Sequence, residues 1–161
     1  ILTLILVFTG TYILPLAVSY LLYRMDIIES LHMQNAKDRK IPYLVGAFCY
    51  YMIASILEKL QLPREAYYFL LASTIVIIVH LVLLSFMKPS AHMAGIAGFT
   101  ALLLALSLKY QTNLIPIIAF SVLLSGFLAS ARLYLKAHTN TEIIVGFISS
   151  LILVFLLVYF G

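Results

Sequence analysis

The chain has 161 residues, 64% of them hydrophobic and only 10% charged, with a mean hydropathy of +1.12 and a formal net charge of +4 at pH 7. Soluble domains carry about 25% charged residues, so this composition excludes a water-soluble globular fold and calls for a bilayer as solvent. The positive charge is spread over loops and helix ends rather than packed into one stripe, which excludes a nucleic-acid-binding surface.

Crossing the hydrocarbon as a helix takes about 20 apolar residues. Six runs qualify: 1–23, 41–57, 66–87, 90–108, 114–136 and 141–160. They are continuous rather than alternating with a period of two, which predicts helices and not barrel strands. The expected fold is all-α: one integral membrane domain over 1–161 with six transmembrane helices in a bundle. The first run, ILTLILVFTGTYILPLAVSYLLY, is too long for the apolar core of a signal peptide, and no small-residue cleavage pattern follows it. Connection one, Arg24 to Lys40, carries Ile27, Ile28 and Leu31 at the spacing of an amphipathic surface helix, with Arg24, Asp26 and Glu29 solvated. The second run holds the single cysteine, Cys49, which can form no intrachain disulfide and reads as a packing residue. Connection two, Glu58 to Glu65, is short. The third run holds His80 among aliphatic residues, where a histidine should face another helix rather than lipid. Tyrosines such as Tyr20, Tyr23, Tyr43, Tyr50, Tyr51, Tyr67 and Tyr68 fit interface belts and helix packing.

Connection three, MKPSAH from Met87 to His92, opens the fourth run. Pro89 and Ser90 are helix-start signals, but they leave His92 unexplained, because a histidine in the first turn of a membrane helix is costly unless partnered or used. Connection four, Lys109 to Asn113, is short. Connection five closes the fifth run with ARLYLKAHTNTE, Ala131 to Glu142. Its Thr139-Asn140-Thr141-Glu142 is a capping box, which leaves Arg132 and His138 over. Connections one, three and five share one side of the membrane. That side holds Arg24, Lys37, Arg39, Lys40, Lys88, Arg132 and Lys136, and the other holds Lys59, Arg64 and Lys109. Counted as loop charges, these would make the richer side cytoplasmic. If Arg39, Lys40, Lys88 and Arg132 serve an anionic ligand instead, the bias disappears.

Together the two clusters resemble the signature of the type 2 phosphatidic acid phosphatase superfamily of membrane lipid phosphatases. The family's Pro-Ser-Gly-His is Pro89-Ser90-Ala91-His92 here. Its Ser-Arg, five residues, His, three residues, Asp is Ala131-Arg132, five residues, His138, three residues, Glu142. The gap between the two stretches also agrees with the family. The family's first stretch, Lys, six residues, Arg-Pro, is matched loosely by Arg39-Lys40-Ile41-Pro42. His32 stands where the family has its Lys, and Ala91, Ala131 and Glu142 replace Gly, Ser and Asp.

The resemblance implies a catalytic set. His138 would be the nucleophile, taking the phosphoryl group onto a ring nitrogen. Glu142, four residues on, would orient it as a triad acid orients its histidine, and an Asp at this position would serve as well. His92 would protonate the leaving oxygen and then activate water. Arg132 would clamp phosphate oxygens with its planar fork, helped by Ser90, Lys88 and Arg39 or Lys40, and by free N–H groups at the start of the fourth helix. Cations supply the transition-state electrostatics, so neither cofactor nor metal is expected. The implied substrate is a lipid phosphate or pyrophosphate in the bilayer, of the phosphatidate, phosphatidylglycerol phosphate or polyprenyl pyrophosphate class. The implied location is the cell (inner) membrane, with the site on the extracytoplasmic face. Two other readings compete. One is an inactive relative that binds lipid or anion as a scaffold. The other is a transporter, which would carry polar or broken segments at mid-depth.

Overall fold

A computed structural model describes residues 1–28 and 36–161. Six helices are long and apolar enough to cross a membrane, with mean hydropathies from 1.4 to 2.8. They are α1 (Leu2–Arg24), α2 (Ala36–Lys59), α3 (Arg64–Leu83), α4 (Ala91–Lys109), α5 (Ile115–Tyr134) and α6 (Asn140–Phe160). No strand occurs among the described residues. The fold is all-α, and the chain is an integral, multi-pass membrane protein. It forms two compact units, Ile1–Ser85 and Phe86–Gly161.

In the first unit α2 packs along α3, and α1 packs on α2. Ala54, Leu57 and Leu70 form a buried cluster, with Leu6, Val7, Ile53 and Tyr67 against it. Helix α1 is not regular: a π-helical turn at Thr9–Ile13 precedes Pro15. Pro15 has no N–H to give and its ring crowds the carbonyl four residues back, and one widened turn relieves both. Gly10, inside that turn, is buried, and a Cβ there would meet the side chain of Ile53. Bare backbone lets α1 and α2 approach at this point.

Two expected boundaries are corrected. The second helix begins at Ala36 rather than 41, with Pro42 inside it and Asp38 in its first turn. An acidic side chain there complements the helix dipole, and the coiled backbone satisfies its own polar groups where the chain enters lipid. The third helix ends at Leu83 rather than 87, and Leu84–Phe86 form a turn. Pro89 drives the residue before it out of helical conformation, so the helix must stop ahead of it. The amphipathic helix expected around Ile27, Ile28 and Leu31 falls largely outside the described residues.

In the second unit α4 packs chiefly on α6 and also on α5. The buried face of α4 is built from small residues, Ala94, Ala97, Gly98, Ala101 and Ala105. This allows close helix contact where lipid supplies no hydrophobic force between helices. Hydroxyls stitch the contacts: Ser150 Oγ donates to the Ala94 carbonyl at 2.7 Å, and Thr100 Oγ1 lies 3.0 Å from Ser121 Oγ.

Candidate functional site

The site is built from three helix ends of the second unit: the end of α5, the start of α6, and the extended segment that leads into α4. Helix α5 closes with Lys136 in left-handed conformation (φ 51). The Ala137 N–H donates to the Arg132 carbonyl at 3.1 Å and the Lys136 N–H to the Leu133 carbonyl at 2.9 Å. This is a Schellman closure. It accounts for the five residues between Arg132 and His138: they are a last helical turn and a reversal. Thr139 then caps α6. The Glu142 N–H donates to Thr139 Oγ1 at 3.3 Å, and the Thr139 N–H donates to Glu142 Oε2 at 3.0 Å. The capping box read from the sequence is present.

The segment from Lys88 to Ser90 lies against this corner. The Lys88 N–H donates to Glu142 Oε1 at 3.2 Å, and the Ser90 N–H donates to the Glu142 carbonyl at 3.1 Å. His138 Nδ1 lies 3.2 Å from Glu142 Oε2 and 3.2 Å from the Lys88 carbonyl. Glu142 therefore caps and orients at once, because its two oxygens face different segments. One meets Lys88, and the other meets Thr139 and His138.

The neighbours of His138 Nδ1 fix its tautomer. A carbonyl and a carboxylate only accept, so Nδ1 carries the proton and the lone pair of the neutral ring is on Nε2. The side chain of His138 is 1% exposed. An imidazole so held has one nitrogen committed as donor to an acid and the other basic, the state a nucleophilic or general-base histidine needs.

The remaining expected residues fall as follows. Ser90 is the N-cap of α4; its hydroxyl is fully buried and accepts from the Met93 N–H at 3.5 Å. Its place in the fold is thus the cap that the sequence already allowed. His92 is exposed in the first turn of α4. Arg132, in the last turn of α5, is half-buried, and its Nε is buried without a hydrogen-bond partner among the described residues. Arg39 and Lys40 belong to the other compact unit, at the start of α2, where Arg39 is buried and Lys40 exposed. His80 is buried in the last turn of α3. The sequence reading missed the main chain of Lys88: it counted the ammonium group, whereas the backbone N–H and carbonyl contact Glu142 and His138. Among the described residues no group of three His, Cys, Asp or Glu side chains is close enough to hold a metal ion.

Compared with known protein families, with curated proteins and with solved structures, the chain matches none.

Proposed function

We propose that the chain is a membrane phosphatase of the type 2 phosphatidic acid phosphatase kind, releasing phosphate from a lipid phosphate or pyrophosphate through a phosphohistidine. The observation that carries the reading is the hydrogen-bonded meeting of the two signature stretches, with His138 Nδ1 3.2 Å from both Glu142 Oε2 and the Lys88 carbonyl. Residues 50 positions apart are joined around one histidine whose tautomer suits nucleophilic attack.

In the first step the Nε2 lone pair of His138 attacks phosphorus. An N–P bond forms as the P–O bond to the lipid breaks, and His92 passes its proton to the leaving oxygen. Glu142 stabilises the imidazolium character that develops on His138. In the second step His92 takes a proton from water, the water oxygen bonds phosphorus, and the N–P bond breaks. Inorganic phosphate leaves and both histidines return to their starting state. Arg132 clamps the phosphoryl oxygens, with the ammonium of Lys88 as a second cation of the anion cradle. The reaction uses no cofactor and no metal. The site opens to the extracytoplasmic face of the cell membrane.

Phosphate release by the purified protein in detergent, from phosphatidate, phosphatidylglycerol phosphate and a polyprenyl pyrophosphate, tests this reading. Release from at least one, lost in His138→Ala, is expected. No release from any of them would leave the second reading, an anion-binding scaffold. That reading is favoured by one observation: the contacts of the Glu142 carboxylate with Lys88, His138 and Thr139 also stitch helix ends together, so the corner has a structural use without turnover.

A further inference from the structure

We infer that Gly146 is a positioning residue for this site: its bare Cα lets the Lys88–Ser90 backbone lie directly on α6, and that contact holds His138 in its Nδ1–H state. The inference rests on the phosphatase reading only for its consequence in turnover; the contact itself stands on geometry. A Cβ at Gly146 would lie 2.7 Å from the Ser90 carbonyl oxygen and 3.0 Å from the Ser90 nitrogen. Both neighbours are main chain, so no side-chain rotation relieves them. Gly146 is one helical turn beyond Glu142 on the same face. The Ser90 N–H that a Cβ would press on is the one that donates to the Glu142 carbonyl at 3.1 Å. Two residues earlier in the same extended segment, the Lys88 N–H and carbonyl contact Glu142 Oε1 and His138 Nδ1. Pushing the segment off α6 therefore withdraws Lys88 from Glu142 and removes one of the two acceptors that fix the His138 tautomer. It also shifts the start of α4, which carries His92.

Conformational need does not explain the glycine, because no glycine among the described residues has positive φ. In an ordinary helix interior, alanine is the more stabilising residue. If Gly146 were only a helix residue, Gly146→Ala would be neutral or stabilising. Gly126 in α5 provides the control, since a Cβ there meets nothing within 4 Å.

The test compares wild type, Gly146→Ala and Gly126→Ala as full chains in detergent micelles. The readouts are amide hydrogen exchange at Lys88 and Ser90, imidazole nitrogen shifts of His138, and phosphate release. In Gly146→Ala the two amides should lose protection, and His138 should shift from the Nδ1–H tautomer toward a mixture. With an active wild type, kcat should fall by about a hundredfold, the order expected for a misplacement near one ångström, with KM little changed. Gly126→Ala should match wild type throughout. Unchanged amide protection and tautomer in Gly146→Ala would overturn the inference. So would changed spectra with undiminished kcat in an active enzyme. A wild type that releases no phosphate would refute the phosphatase reading alone; the exchange and tautomer results would still decide whether Gly146 positions the segment. Should Gly146→Ala fail to fold, wild type answers directly: unprotected Lys88 and Ser90 amides would overturn the contact on which the inference depends.

Discussion

Glu142 has three donors around two oxygens: the Lys88 N–H, the Thr139 N–H and the His138 Nδ1–H. A glutamine there must turn its NH2 toward at least one of them, so Glu142→Gln loses the charge and also a hydrogen bond. Turnover should drop by up to about 10⁴-fold, the cost of neutralising the orienting acid in a Ser-His-Asp triad. Stability should fall by only about 1 kcal/mol, the net worth of one hydrogen bond. Parallel kinetics and thermal melts check the disparity, and equal losses in both would mean that Glu142 acts as a cap alone. The resemblance implies that aspartate would serve as well, but the structure alters that expectation. An Asp side chain, shorter by one methylene, cannot keep Lys88 on one oxygen and Thr139 with His138 on the other without moving the backbone. Glu142→Asp should therefore retain the His138 contact only by surrendering another, with a drop in kcat that the same assay reads. From the sequence, the spacing of four between His138 and Glu142 was legible because capping and orienting both use it. The part played by Lys88 was not, since main-chain groups leave no trace in residue identity. Gly146 was readable at most as a small residue one turn past the acid.

Among the elements, the six apolar runs stood out because continuous hydrophobicity needs no context to be read. Their ends were less visible. Charge at Lys37, Arg39 and Lys40, followed by Pro42, looked like loop, yet these residues form the first turns of α2. Helix closures were hidden for a different reason. The left-handed positions after α1, α2, α4 and α5 are Asp26, Gln61, Gln111 and Lys136, whereas glycine is the usual signal at such positions. After α2, the Gln61 N–H donates to the Glu58 carbonyl at 3.0 Å and the Leu62 N–H to the Leu57 carbonyl at 2.9 Å. Left-handed conformation costs a residue with a Cβ roughly 1–2 kcal/mol. Gln61→Gly should therefore stabilise the protein by about 1 kcal/mol once glycine's extra unfolded-state entropy is counted, read as a raised midpoint in detergent. At the other helix terminus, Thr139→Ala removes the acceptor for the Glu142 N–H and should cost about 1 kcal/mol. It also frees Glu142 Oε2 from a helix start that no longer holds its shape, so phosphate release should fall together with stability. A stabilising Thr139→Ala, or a destabilising Gln61→Gly, would show that these helix ends are held by something other than their caps.

For the whole molecule, membrane residence follows from composition and from six spanning helices, and it required no motif. The site required two motifs far apart in sequence, and only folding shows that Lys88 and His138 meet. Arg132, at the end of α5, belongs to this corner, whereas Lys109, at the end of α4 that points away from Ser90, does not; its Nζ lies 3.5 Å from the Val158 carbonyl near the far end of α6. Arg132→Ala should weaken vanadate binding sharply and Lys109→Ala should leave it unchanged; equal losses would mean diffuse charge attraction. The central claim, that His138 carries the phosphoryl group, is tested most directly by trapping the intermediate. Protein in detergent is given a lipid substrate labelled in its terminal phosphate, quenched in alkali, where phosphohistidine persists, and mapped by peptide. The account predicts label on His138 in wild type and none on His138→Ala. Label on another residue, or turnover that persists in His138→Ala, would contradict it.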